Sequence, residues 1–262
     1  MFEALGFTLA EMEHFLLILA RIGALLFTMP LFNAKYINGR WRLALGIFLA
    51  FICVHVLPVP GTLPVPSLFL LFLAAKEVMV GLIIGLVCNI IFEGIRLAGF
   101  LAGRLMSLTM MTLIDPTNDQ STQVISQILY FVALLLLLAT NGHHFFIQAI
   151  FDSFHRVPVT MAHFPAATVT WLISMTASIF VIGIKVGAPV YAVLFLERIM
   201  LALFAKFAPQ MHVLIVALPL GILIGLNMMM LFWPYYAAAF LGIFETFTGQ
   251  VSQFIALFGP GY

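Results

Sequence analysis

With 11 basic and 10 acidic residues among 262, charged side chains make up 8% of the chain and apolar ones 64%. Globular proteins carry about 25% charged residues, so this chain has too few polar side chains to coat a water-facing surface. The net charge of +1, without a basic run or a charged tail, gives no footing for a nucleic-acid partner.

The first 13 residues hold Glu3, Glu11 and Glu13 and no Lys or Arg, unlike the basic start of a cleaved secretory signal, so retention of this segment is expected. Six hydrophobic blocks follow, predicted as helices over about 14–32, 43–57, 67–92, 124–148, 168–206 and 210–257. Residues 43–75, 124–151, 157–184 and 207–244 contain no Asp, Glu, Lys or Arg. Each run exceeds the roughly 20 apolar residues that a bilayer-spanning helix needs. A transmembrane barrel would show alternating strands, and Leu134 to Leu138 do not alternate. The expected class is therefore an all-α polytopic membrane protein.

Polar or proline-rich punctuation separates the blocks: Asn33 to Arg42, Leu57 to Pro66, Asp115 to Thr122, and Val157-Pro158 to Phe164-Pro165. The last is expected to divide the chain into a longer and a shorter part. The loop holding Lys35, Arg40 and Arg42 is expected on the cytoplasmic face, although Arg104, Arg156 and Lys206 are read as loop residues on both faces. Cys53 and Cys88 lie within apolar segments and read as small buried hydrophobes. The last two blocks contain Pro189, Pro219 and Pro234 and are too long for simple spans. A 39-residue helix is about 58 Å long, so it either breaks or runs outside the lipid.

Glycines recur four apart at Gly81/Gly85, Gly99/Gly103, Gly183/Gly187 and Gly221/Gly225, a spacing that lets helix backbones approach closely. Packing within the chain and docking onto other subunits are both open. Ionisable groups inside apolar blocks are costly unless paired, which singles out Lys76, Glu77, Glu93, Lys185 and Glu245. Lys76 and Glu77 point about 100° apart and cannot pair on one helix face, so each needs a partner elsewhere. Arg42 and Glu197 join Lys76, Glu77 and Lys185 as polar groups expected to be buried or to face another subunit.

His143 and His144, with Asp152 and His155 nearby, raise a metal site, but adjacent histidines diverge on a helix and a hydrogen-bonding cluster fits better. No GxSxG, Ser/His/Asp spacing or phosphate-cradling loop is present. The reading is of a protein without catalytic residues, metal or cofactor. A different composition marks Gly103 to Gln123, where a methionine-bearing arm meets the helix stop Asp115-Pro116. Flexible thioethers at Met106, Met110 and Met111 pack against changing shapes, so this segment is either a packed connection or a deformable plug.

The chain resembles the FliR family of flagellar export-gate proteins, whose virulence-secretion counterparts are called SctT. Arg21 with Pro30, Asn38 to Leu45, Glu77 with Gly81 and Gly85, Ala98-Gly99 and Asp115-Pro116 carry the resemblance. So do Asn141-Gly142-His143, Ser153-Phe154 with Pro158, Ala188-Pro189, and Ala208 to Met211 with Pro219. The order and spacing of these short motifs over roughly residues 20–225 is what is specific.

The resemblance implies a subunit of the flagellar type III protein export gate in the bacterial inner membrane, at the flagellar basal body. It implies long kinked helical hairpins within a helical hetero-oligomer, with a FliP-like part over 1–160 and a FliQ-like hairpin over 161–262. The implied partners are FliP-like and FliQ-like subunits, FlhB-like and FlhA-like export proteins, membrane lipid and unfolded export substrates. The implied plug lies at about 105–120, with Met106, Leu108, Met110, Met111, Leu113, Ile114, Asp115 and Pro116. Ser107 stands where the family often has glycine, and Lys206 where it often has arginine. The alternative is a multi-helix secondary transporter for a small solute, using Lys76, Glu77, Lys185 and Glu197.

Overall fold

The computed structural model describes residues 9–32, 37–57, 67–108, 123–208, 210 and 213–257. Among them every regular element is helical: α1 (Leu9–Thr28), α2 (Gly39–Val56), α3 (Ser67–Leu105), α4 (Gln123–Ala139), α5 (His143–Arg156), α6 (Ala166–Phe207), α7 (Val213–Leu231) and α8 (Trp233–Ala256). The chain is an all-α polytopic membrane protein. Its helices α2, α3 and α6 are each long and apolar enough to cross a bilayer, and α7 with α8 passes the same test only as a bent pair.

Among the described residues, eight helices replace the six predicted blocks for local reasons. α3 does not stop near residue 92 but continues through a Glu93–Arg96 ion pair at 3.0 Å, one turn apart on the same face. The fourth block divides at Thr140 to Gly142, where Asn141 takes a left-handed φ of 57°. The last block bends by 61° between α7 and α8, and Pro234 sits in the first turn of α8, where a missing N–H is tolerated. α6 runs unbroken for 42 residues with Pro189 inside it. Arg104, Arg156 and Lys206, expected in loops, instead occupy the last turns of α3, α5 and α6, where cations complement the helix dipole.

Two compact units form, each discontinuous in sequence: residues 1–89, 141–175 and 247–262 in one, and 90–140 and 176–246 in the other. In the first, α1 contributes the fully buried Leu17, Ile18, Ile22 and Leu25. α3 lies against it where side chains are absent. A methyl group on Gly81 would stand 2.8 Å from Ala24 Cβ and collide with the Arg21 carbonyl, and one on Gly85 would overlap Thr28. Asn38 caps α2 by accepting from the Arg40 N–H at 3.3 Å, and Trp171 stacks on Phe254 with ring centres 4.1 Å apart.

In the second unit, α3 is again the hub. A methyl group on Gly94 would meet Ile182, one on Gly183 would meet Leu97, and one on Gly99 would stand 2.5 Å from Ser126 Cα and 2.7 Å from its nitrogen. Ser126 Oγ donates to the Arg96 carbonyl at 3.0 Å, and the Arg96 guanidinium lies 4.0 Å over the Tyr130 ring, fixing α4 on α3. Gly187 makes room for its own helix: the Tyr191 ring folds back into that notch, and its hydroxyl lies 2.9 Å from the Ala98 carbonyl and 3.0 Å from that of Gly183. Pro189 cannot donate to the carbonyl four residues earlier, that of Lys185. The Tyr235 hydroxyl donates to that carbonyl at 2.9 Å. This replacement lets α6 continue through the proline.

Candidate functional site

Glu77, the costly acid of the third apolar block, is fully buried. Its Oε2 lies 2.5 Å from both Nε and Nη2 of Arg21, which is also fully buried. Nη1 of Arg21 donates to the carbonyls of Ser153 at 3.0 Å and Val157 at 2.8 Å, while the Phe154 ring lies 4.5 Å beneath the guanidinium. Oε1 of Glu77 accepts the Thr160 N–H at 2.8 Å. Thr160 carries φ of 75°, an uncommon conformation for a β-branched residue, so the carboxylate stabilises a strained turn. One ion pair thus ties together α1, α3, α5 and the turn after α5 in the first unit. Burying a charge is tolerated only with this degree of pairing and hydrogen bonding.

The methionine arm begins at the end of α3, in the second unit. Leu108 N–H bonds to the Gly103 carbonyl and Ser107 N–H to that of Arg104, each at 3.2 Å, which is the paired pattern of a Schellman helix end. That motif needs a left-handed residue, and Ser107 supplies it with φ of 63° at a cost of about 1 kcal/mol relative to glycine. Nη2 of Arg198, from α6, donates to Ser107 Oγ at 2.5 Å and to the Leu105 carbonyl at 2.8 Å. Met106 is fully buried and fills the notch of α7 left by Gly221 and Gly225. A methyl group on Gly225 would stand 2.6 Å from Met106 Cγ and 2.9 Å from its sulfur. Leu108 is half-buried and, with Met106, Val124, Ile125, Ile128, Ile222 and Leu226, lines an apolar groove of about 320 Å³. Met110, Met111, Leu113, Ile114, Asp115 and Pro116 lie outside the described residues.

The other polar candidates lie on α2, α3 and α6. Arg42 is half-buried and lies 5.5 Å over the Phe27 ring, and Lys76 is half-buried on α3. Lys185 is exposed, whereas Glu197 is buried with its Oε2 3.7 Å from Arg198 Nε. Lys185 and Glu197 stand twelve residues apart on α6, about 18 Å along the axis. That distance keeps Lys185 and Glu197 from sharing one site. Glu77 has both oxygens engaged. Among the glycines, Gly81, Gly85, Gly99, Gly183, Gly187, Gly221 and Gly225 all abut atoms of this chain, and Gly103 is buried and accepts from Leu108. His144 Nδ1 lies 3.2 Å from the Asn141 carbonyl, and among the described residues no group of three or more His, Cys, Asp or Glu could hold a metal.

Sequence alone does not single out Arg198, nor Arg21 as the partner of Glu77. Glu77 demands a counter-charge, but its partner lies 56 residues away, and only folding identifies it. Arg198 follows a buried acid in an apolar helix, and that placement is the available signal.

The sequence pattern of the family described as bacterial export proteins, family 1, matches residues 12–247. The flagellar biosynthetic protein FliR of Bacillus subtilis (strain 168) is 30% identical over 248 residues, covering 94% of this chain and 95% of that protein. FliR of Escherichia coli (strain K12) is 29% identical over 219 residues, 84% of each chain. FliR of Caulobacter vibrioides is 27% identical over 245 residues, 92% of this chain and 94% of its own. The apolar α-helical architecture and likeness running almost end to end agree, and the chain belongs to the bacterial export proteins of family 1, as a FliR-type membrane protein of flagellum biogenesis.

Proposed function

We propose that the chain is a subunit of the flagellar type III export gate and forms, with FliP-like and FliQ-like subunits, a closable passage for unfolded flagellar proteins. It acts in the inner membrane at the basal body, next to FlhB-like and FlhA-like export proteins. Its role is conformational and not catalytic. In this reading residues 1–160 pack as a FliP-like subunit and 161–262 as a FliQ-like hairpin.

The observation that carries the reading is the apolar surface of α6. Val169, Ile173, Phe180, Ile184, Phe195, Met200, Phe204 and Phe207 are all exposed. From residue 169 to 207 they extend over about 57 Å of helix. A hydrocarbon core is about 30 Å thick, and even a 40° tilt leaves this apolar length of α6 about 44 Å long across the membrane. Lipid cannot cover all of it, and exposed apolar area of this kind is covered by protein. Helices of sister subunits supply that cover, and Lys76 and Lys185 meet polar groups of those subunits. The segment 105–120, from Met106 and Leu108 through Pro116, closes the passage. Met106 and Leu108 already sit on apolar walls, which exclude ions by dewetting yet yield to a threaded chain. Deleting residues 107–114 is expected to raise ion leakage through the assembled gate. Unchanged conductance with intact assembly would refute the plug.

A further inference from the structure

We propose that Arg198 is the positioning residue of this plug, a latch that sets the direction in which the chain leaves α3. The proposal rests on the plug reading for its functional consequence but on geometry alone for the latch itself. Ser107 takes a left-handed φ of 63° that a side chain bearing Cβ disfavours, and its hydroxyl accepts a 2.5 Å bond from Arg198 Nη2. The second hydrogen of the same nitrogen goes to the Leu105 carbonyl at 2.8 Å, the last carbonyl of α3, where a cation also meets the negative end of the helix.

The serine makes this arrangement conditional. A glycine at 107 would hold the left-handed turn unaided, and the exit direction would not depend on α6. With serine, the bond from Arg198 offsets the backbone preference, so a shift of α6 that withdraws the guanidinium frees Ser107 to leave the turn. Releasing the turn breaks the Leu108-to-Gly103 and Ser107-to-Arg104 bonds and withdraws Met106 from the Gly221/Gly225 notch. Arg198 also has Glu197 Oε2 at 3.7 Å, an alternative acceptor on its own helix that needs no contact with the loop. Movement of α6 is thereby coupled to the base of the plug through one side chain.

The test is amide hydrogen exchange over residues 103–108 in the gate assembled from full-length subunits, with ion conductance of the same preparations. Arg198→Ala is expected to speed exchange of the Ser107 and Leu108 amides about tenfold or more. Ser107→Ala, which keeps Cβ and removes the acceptor, should do the same with Arg198 in place. Ser107→Gly should slow exchange or leave it unchanged, and Ser107→Gly with Arg198→Ala should return to within about threefold of the parent. Equal acceleration by Arg198→Ala in the serine and glycine backgrounds would overturn the latch, because Arg198 would then be a packing residue only. If Arg198→Ala does not assemble, Ser107→Ala decides: acceleration there that is absent from Ser107→Gly upholds the latch, and no acceleration by Ser107→Ala overturns it. Conductance separates the two readings. Exchange that follows this pattern, with no leakage after deletion of 107–114, upholds the latch and refutes the plug; leakage after that deletion without the exchange pattern does the reverse.

Discussion

Replacing Glu77 by Gln preserves volume and an acceptor for the Thr160 N–H but leaves the fully buried Arg21 without its counter-charge. Removing one partner of a buried pair costs about 3–5 kcal/mol, because the remaining charge stays desolvated. Two carbonyls and the Phe154 ring still surround the guanidinium, which places the expected loss toward the lower end, about 3 kcal/mol. Glu77→Ala also orphans the Thr160 N–H and is expected to lose a further 1–3 kcal/mol or so. Arg21→Met with Glu77→Leu removes both charges and is expected to lose less than Glu77→Gln alone. Unfolding free energies from steric trapping in bicelles provide the measurement. A loss below about 1 kcal/mol for Glu77→Gln, or a double variant weaker than either single one, would refute the argument that this pair holds α1, α3 and α5 together.

The hydroxyl that replaces the missing donor of Pro189 gives a second test. Tyr235→Phe is expected to cost about 0.5–1.5 kcal/mol, and nothing in a Pro189→Ala background, where the backbone N–H gained at that position serves the Lys185 carbonyl; equal losses in both backgrounds would disprove the replacement. Glycine positions are expected to divide by sign in the same assay. Gly99→Ala drives Cβ into the α4 backbone and should cost about 1–3 kcal/mol, whereas Gly249→Ala, facing open space within α8, should gain about 0.5–1 kcal/mol.

The membrane class is legible in the sequence because charge is confined to short stretches, and no packing detail changes that. Helix ends are less so. α3 outlasts its predicted end since Glu93 and Arg96 neutralise each other on one face, which a search for apolar runs reads as a stop. Arg104, Arg156 and Lys206 look like loop residues because the same cation that ends a span also suits the last turn of a helix. Glycine spacing announces close packing at Gly81/Gly85 and Gly221/Gly225, but which neighbour fills each notch depends on tertiary structure: Arg21 and Thr28 in one case, Met106 in the other. Met106 is recognisable from its neighbours in sequence. The hold of Arg198 on Ser107 is not, since 91 residues separate them and neither belongs to a recurring motif.

If the chain is a gate subunit, its apolar faces are covered by the other subunits of the gate. The direct measurement is purification in mild detergent after expression with FliP-like and FliQ-like subunits, followed by mass determination of the intact particle. The expected result is a stoichiometric complex in which cysteines placed at Phe195 and Phe204, both exposed in the single chain, are shielded from thiol reagents. A monodisperse single chain with both positions reactive, or solute uptake by that chain alone in liposomes, would contradict it.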